Sequence, residues 1–156
     1  MFNPNPIALL PRPNHLQVNG EALLSPSAFV LHWQVPVDPR VESYANELLA
    51  QSQCGSLYVH VQHAQALNPP VQADESHSIS IRKDGIHLSA SNTWGALRGV
   101  ATLHQLAVAN ELFLGLTIED SPRFHWRGLL LDVARHFLPV EDLLAVVDGL
   151  AVLKMN

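Results

Sequence analysis

FHWRGLLLDVARH, residues 124–136, divides the chain into two kinds of pattern. Gly128–Val133 is a short apolar run without strict alternation, which fits a strand covered on both faces, as in a parallel sheet. Arg127 enters the run, and Asp132, Arg135 and His136 leave it. Charged groups at the ends of such a strand need partners or a polar cleft, because burying them unpaired is costly. Pro139 then opens an apolar-periodic helix that runs to the last residue. Strand, loop and helix together read as the opening βα unit of an α/β domain. One such unit cannot cover both faces of its own strand. Without further strands, Leu143, Leu144, Val147, Leu150 and Leu153 are expected to leave exposed apolar surface.

Upstream the pattern is different. Residues 1–14 are rich in proline and asparagine and read as an extended surface segment. His15–Val18 is a short strand closed by the turn dipeptide Asn19-Gly20, and Ala28–Trp33 is a second strand. Val41, Tyr44, Ala45, Leu48 and Leu49 form one apolar helical stripe, with Asp38 as its cap, Pro39 in its first turn and Gly55 as its stop. Leu57–Val61 alternates as a half-buried strand, and Asn68-Pro69-Pro70 breaks the chain. Glu75–Ile81 alternates again and is joined to Ile86 and Leu88 by a hairpin turn at Asp84-Gly85. Asn92 caps a helix whose buried face is Leu97, Val100, Ala101, Leu103, Leu106 and Ala107, with Gly99 placed for close packing against the sheet. Thr117–Phe124 reads as a connector. The order implies an α+β layer domain: a sheet with antiparallel or mixed pairing and two helices on one face. The expected organisation is an extended segment over 1–14, the α+β domain over 15–120 and the opening βα unit of an α/β domain over 121–156.

Composition narrows the function. The chain has 156 residues, 47% of them apolar, so it can bury a core. A net charge of −5 and nine dispersed Lys and Arg residues argue against a nucleic-acid groove. The single cysteine, Cys54, excludes an internal disulfide and a multi-cysteine metal site. No apolar run approaches the ~20 residues that span a bilayer, and no basic, apolar leader opens the chain. The expected location is cytoplasmic, or periplasmic or secreted if a leader precedes this sequence.

Local motifs supply little chemistry. There is no phosphate-cradling glycine loop and no HExxH, so no cofactor or metal is expected. His60 and His63 fall on opposite faces of a strand. The pairs Asp74-Glu75, Glu119-Asp120 and Glu141-Asp142 are sequence neighbours, which do not flank a substrate as a glycosidase pair does, and Glu141 and Asp142 suit a helix N-terminus. Arg127, Asp132, Arg135 and His136 remain. On spacing alone, a functional cluster and a structural network stand level; barrel geometry favours the C-terminal end of the strand over Arg127.

SPRFHWRGLLLDVARHFLPVEDLLAVVDGLAVLKMN, residues 121–156, resembles the start of the catalytic barrel of glycoside hydrolase family 20, the β-N-acetylhexosaminidases. DESHSISIRKDGIHLSASNTWGALRGVATLHQL, residues 74–106, resembles the end of that family's N-terminal accessory domain, and the early LLPRPNHLQVNGEALL fits its beginning. The resemblance implies an α+β accessory domain beside a (β/α)8 TIM barrel. It implies removal of terminal non-reducing N-acetylglucosamine or N-acetylgalactosamine from glycans or chitooligosaccharides. The substrate's own acetamido oxygen attacks the anomeric carbon, an exception to the protein-nucleophile scheme. By the same resemblance Arg127 matches the arginine that contacts the outer hydroxyls of the sugar in the −1 subsite, while Asp132, Arg135 and His136 are expected to brace the first strand and its loop. The family's WHL.DDQ run and its catalytic Asp–Glu pair follow the segment matched here, so no catalytic residue is expected in this chain. It is expected to be inactive alone and to need the rest of the barrel. The alternative is a carbohydrate-binding or purely structural accessory module. An anion- or nucleotide-binding α/β protein is disfavoured, since Val133–Pro139 holds no glycine.

Overall fold

The computed structural model describes residues 7–21, 27–34, 38–49, 54–63 and 72–156. The expected break at Asn68-Pro69-Pro70 and the first six residues of the N-terminal segment lie outside these. The upstream part is one six-stranded mixed sheet. Its strands are β1 (His15–Glu21), β2 (Ser27–Trp33), β3 (Cys54–His63), β4 (His77–Arg82), β5 (Gly85–Asn92) and β6 (Leu114–Asp120). They lie in the order β1-β6-β4-β5-β3-β2. β2–β3 and β3–β5 are parallel; β4–β5, β4–β6 and β1–β6 are antiparallel.

Helices α1 (Pro39–Leu49) and α2 (Thr93–Val108) pack side by side on one face. The alternation of each strand sends Leu57, Val59, Ile79, Ile81, Ile86, Leu88, Leu116 and Ile118 toward them, all at most 2% exposed. Val41 and Ala45 of α1 and Val100, Leu103 and Leu106 of α2 meet them from above. Each such buried aliphatic chain contributes about 1.5–3 kcal/mol. The opposite face is polar and half exposed. There His32, Tyr58 and His87 stack across three neighbouring strands, with ring centroids 4.6 and 5.0 Å apart.

Local rules explain the helix ends. Asn92 accepts from the Trp94 and Gly95 amides at 2.9 and 3.2 Å, as expected of an N-cap. Asp38 accepts the Arg40 amide at 3.0 Å at the start of α1. α2 closes in a Schellman motif, with Asn110 at φ 57° and Glu111 N–H donating to the Leu106 carbonyl at 2.8 Å. Gly95 and Gly99 let α2 lie directly on the sheet. A Cβ on Gly95 would sit 2.4 Å from the Ser76 carbonyl oxygen, and one on Gly99 2.3 Å from Leu88 Cδ1. Gly95→Ala is expected to lower stability by about 1–3 kcal/mol through this overpacking, even though Ala is the better helix former by about 1 kcal/mol. Urea midpoints measure it; an unchanged or higher midpoint would refute the close approach.

Four local readings need correction. Asn19-Gly20 is not a turn: β1 runs through it to Glu21, with a register shift between Val18 and Gly20. Gly55 does not stop α1, because it lies within β3. The two-residue loop of the β4–β5 hairpin is Lys83-Asp84, with Gly85 paired to Arg82. Residues 114–120, read partly as connector, form β6 between β1 and β4, where two ladders satisfy its backbone groups.

Beyond β6 the chain changes character. Residues 121–139 contain no hydrogen-bonded strand. Leu129, Leu130, Leu131 and Val133 are 57%, 88%, 40% and 44% exposed. The run expected to be covered on both faces has no neighbouring strand among the described residues, so its ladder groups and apolar side chains go unpartnered. Helix α3 (Val140–Val152) follows but ends at Val152 rather than at the last residue, and it buries no residue fully; Leu144 and Val147 are 59% and 58% exposed, whereas Leu143, Leu150 and Leu153, also expected to be exposed, are half-buried. It packs against α2, and at its end Gln105 Nε2 donates to the Val152 carbonyl at 2.9 Å. The same glutamine side chain pairs with the backbone of Leu10 at 2.8 and 2.7 Å and straps the N-terminal segment to α2. No helix among the described residues is long and apolar enough to cross a membrane.

Candidate functional site

Where α3 ends, three separate parts of the chain converge on one carboxylate. Glu75, just before β4, is 3% exposed. Arg98 comes from α2 and its Nε contacts Glu75 Oε2. Arg127 comes from the segment after β6, and its Nη2 reaches the same oxygen at 2.6 Å. Asn156 Nδ2 donates to the other oxygen, Oε1, at 3.2 Å.

Arg127 is further tied by Nε to the Lys154 carbonyl at 2.9 Å and by Nη1 to the Phe124 carbonyl at 2.6 Å. Its backbone pairs with Asn156, N–H to Oδ1 at 2.9 Å and C=O to the Asn156 amide at 2.8 Å. A guanidinium has five N–H donors. Three are engaged here, leaving one on each terminal nitrogen without a partner among the described residues.

A second ion pair lies beside the first. Lys154 Nζ is 3.1 Å from Asp120 Oδ2, and Lys154 is 5% exposed. The lysine occupies the left-handed position that ends α3, at φ 60°, with Met155 N–H bonding back to the Leu150 carbonyl at 2.9 Å. That conformation costs an L-residue about 1–2 kcal/mol; here it brings the ammonium to Asp120. Burial pushes the Lys154 amine below its ordinary value, against the opposing pull of Asp120.

His77, opposite Asp120 in the β4–β6 register, is 6% exposed. Burial, with the Lys154 charge second, pushes its imidazole down to about 4. Nδ1 lies 3.2 Å from the Glu75 carbonyl, which can only accept, so the neutral ring carries its proton on Nδ1. Nε2 is buried without a partner among the described residues. A cavity of about 220 Å³ opens onto this group, lined by Arg12, Glu75, His77, Asp120, Phe124 and Arg127 among others. Its two carboxylates are both engaged in ion pairs, Glu75 with Arg98 and Arg127, and Asp120 with Lys154.

Of the residues singled out in the sequence, only Arg127 belongs to this cluster. Asp132, Arg135 and His136 form a separate exposed turn. Asp132 Oδ1 accepts the Ala134 and Arg135 amides at 3.1 Å each, and its Oδ2 pairs with Arg135 Nε at 2.8 Å. His136 donates its amide to the Asp132 carbonyl at 3.3 Å. They brace their own turn. Glu75 and Asp120, set aside as improbable acid/base pairs, are the anchors of the buried network; Arg98, Lys154 and Asn156 carried no sequence signal at all. No group of three or more His, Cys, Asp or Glu among the described residues is arranged to hold a metal ion.

Comparison with known proteins now bears on this junction. Residues 31–106 match the family model described as beta-acetyl hexosaminidase like, and residues 124–156 match that of the glycosyl hydrolase family 20 catalytic domain. The chain belongs to glycoside hydrolase family 20. It is 43% identical over 88 residues to beta-hexosaminidase subunit A1 of Dictyostelium discoideum, covering 53% of this chain and 16% of that one. It is 32% identical over 168 residues to beta-N-acetylhexosaminidase of Cellulomonas fimi, covering 96% of this chain and 33% of the relative. The crystal structure of the family 20 exo beta-N-acetylglucosaminidase from Vibrio harveyi in complex with N-acetylglucosamine superposes with a TM-score of 0.72 and 26% identity, over 95% of this chain and 24% of that one. The chain thus spans between about a sixth and a third of the length of these relatives. In this family's terms, the fold is an α+β accessory domain followed by the start of a (β/α)8 barrel.

Proposed function

We propose that the family 20 polypeptide carrying this chain is a β-N-acetylhexosaminidase. It hydrolyses terminal non-reducing N-acetyl-D-hexosamine residues of glycans or chitooligosaccharides by substrate-assisted, retaining chemistry. The acetamido oxygen attacks the anomeric carbon as a glutamic acid, preceded by an aspartate, protonates the leaving oxygen; neither acid falls among these 156 residues. Residues 15–120 are the accessory domain, and residues 121–156 open the barrel.

Within that reading Arg127 holds the outer hydroxyls of the sugar in the −1 subsite. The observation that supports it best is the family match running through both segments, with Arg127 inside the part that matches the catalytic domain. Geometry adds that each of Arg127's three nitrogens is engaged once, which leaves one N–H on each terminal nitrogen for a hydroxyl oxygen.

Turnover of an aryl N-acetylglucosaminide tests the activity. The longer polypeptide is expected to release the aryl group and the isolated 156-residue chain to stay at the buffer blank; turnover by the isolated chain would refute the assignment of its acid elsewhere. Arg127→Ala in the longer polypeptide is expected to lower kcat/KM by about 10- to 200-fold, the equivalent of a charged hydrogen bond at about 1.5–3 kcal/mol. An unchanged kcat/KM would remove Arg127 from the subsite.

A further inference from the structure

We propose that the accessory domain binds a neutral sugar unit of a glycan in a serine-floored trough on the sheet face turned away from the helices. The choice of a glycan rests on the activity proposed above; the trough itself does not.

The trough follows from the alternation of β4 and β5. Their apolar residues point to the helices, so Ser78, Ser80, His87, Ser89 and Ser91 point the other way and are half-buried. Ser78 and Ser89 are register partners, with Glu119 of β6 beyond Ser78 and His15 of β1 beyond Glu119. Gln62 stands on the β3 side. A serine side chain ends at its Oγ, whereas glutamate, histidine and glutamine reach further from the sheet. Short side chains on two central strands, flanked by longer ones, leave a hollow. A cavity of about 480 Å³ lies there, at the end of the sheet where β4 begins and β5 and β6 finish. α3 packs on α2, on the opposite face, so the start of the barrel leaves the trough open.

The lining selects the ligand. Ala90 is its one apolar member among the described residues, which disfavours an apolar ligand. Asp120 is held by Lys154, while Glu119 has no ion-pair partner among the described residues. The trough therefore carries an uncompensated negative charge and repels phosphate, sulfate and nucleic acid. His77, 6% exposed, also lines it; with its proton on Nδ1, its unpartnered Nε2 is an acceptor that a hydroxyl can fill. Serine hydroxyls and the Gln62 amide both donate and accept, and the Glu119 carboxylate can accept from two neighbouring hydroxyls. A ring of hydroxyls uses this set in full. The volume lies within the ~300–1,000 Å³ usual for small-ligand sites, enough for a sugar unit.

Affinity electrophoresis of the longer polypeptide through gels holding a soluble N-acetylglucosamine polymer tests this, beside kcat/KM on the aryl N-acetylglucosaminide. The parent is expected to be retarded increasingly with polymer concentration. Ser78→Val together with Ser89→Val removes two hydroxyls from the floor and keeps residues that suit strands. The apparent Kd should rise about 10-fold, the worth of two neutral hydrogen bonds. Glu119→Ala should raise it by at least about 10-fold, as loss of a charged acceptor does. Both changes should leave kcat/KM on the aryl substrate unaltered. Should the paired serine change not fold, Glu119→Ala, at an exposed position, carries the test. A parent that migrates as in a polymer-free gel, variants retarded as strongly as the parent, or an equal loss of kcat/KM on the aryl substrate would overturn the proposal. Retention that weakens in the variants, in a parent that does not hydrolyse the aryl substrate, would support the trough and count against the activity reading alone.

Discussion

Glu75→Ala is expected to cost about 3–5 kcal/mol of folding stability, because it leaves two arginine side chains buried without their counter-charge. Glu75, Arg98 and Arg127 have side chains only 4%, 15% and 13% exposed. In that setting a carboxylate compensates desolvation that water cannot. The Asp132–Arg135 pair is the contrast: its arginine is 91% exposed, and an ion pair in water is worth about 0–1 kcal/mol. Arg135→Ala should therefore leave stability within about 1 kcal/mol of the parent. Urea unfolding of the 156-residue chain, followed by circular dichroism, measures both. Equal, small losses for the two substitutions would mean that Glu75 is hydrated and that the junction is not the anchor described here.

The second large effect is one of pH. The folded His77 imidazole is held down at about 4, first by burial and then by the Lys154 ammonium, against an ordinary value of 6.5. As pH falls through 6.5 the unfolded ring takes up a proton while the folded one does not. The unfolded state then binds more protons, so stability is full above about 6.5 and declines between 6.5 and about 4. Below about 4 the folded ring titrates too, and the loss levels off. The gap corresponds to roughly 3 kcal/mol at most. Melting curves between pH 7 and 4.5 should show the decline in the parent and a shallower one in His77→Phe, which has no proton to take up. Parallel declines would show that other groups carry the acid sensitivity, Asp38 and Asp74 foremost. Hydrogen bonds from Arg40 and Ser76 respectively hold those two carboxyls below the usual range.

What could be read from the sequence was local. The Asn92 cap, the apolar face of α2 and the β4–β5 hairpin each depend on residues within one or two turns of each other, and each was legible there. β6 was harder to read: Leu114, Leu116 and Ile118 do alternate, but the strand acquires its meaning only from β1 and β4 on either side. The run 128–133 shows the opposite case. Its composition speaks of cover on two faces, and cover is a property of neighbours rather than of the run itself. The Glu75 cluster lay beyond any spacing rule. Its members are 23 and 52 residues from Glu75 toward the two arginines, and 81 toward Asn156. Charge types alone could not choose this set among the chain's nine basic and fourteen acidic residues. The family motif pointed to Arg127, but not to the carboxylate from the other domain that holds it.

The most direct test of the central claim is a crystal structure of the longer polypeptide with N-acetylglucosamine bound. Arg127 should lie within about 3 Å of two hydroxyl oxygens of the sugar through Nη1 and Nη2, a normal hydrogen-bond distance, while Nη2 still holds Glu75. A sugar bound in the barrel with Arg127 turned away from it, or with Glu75 and Arg127 parted, would contradict the account.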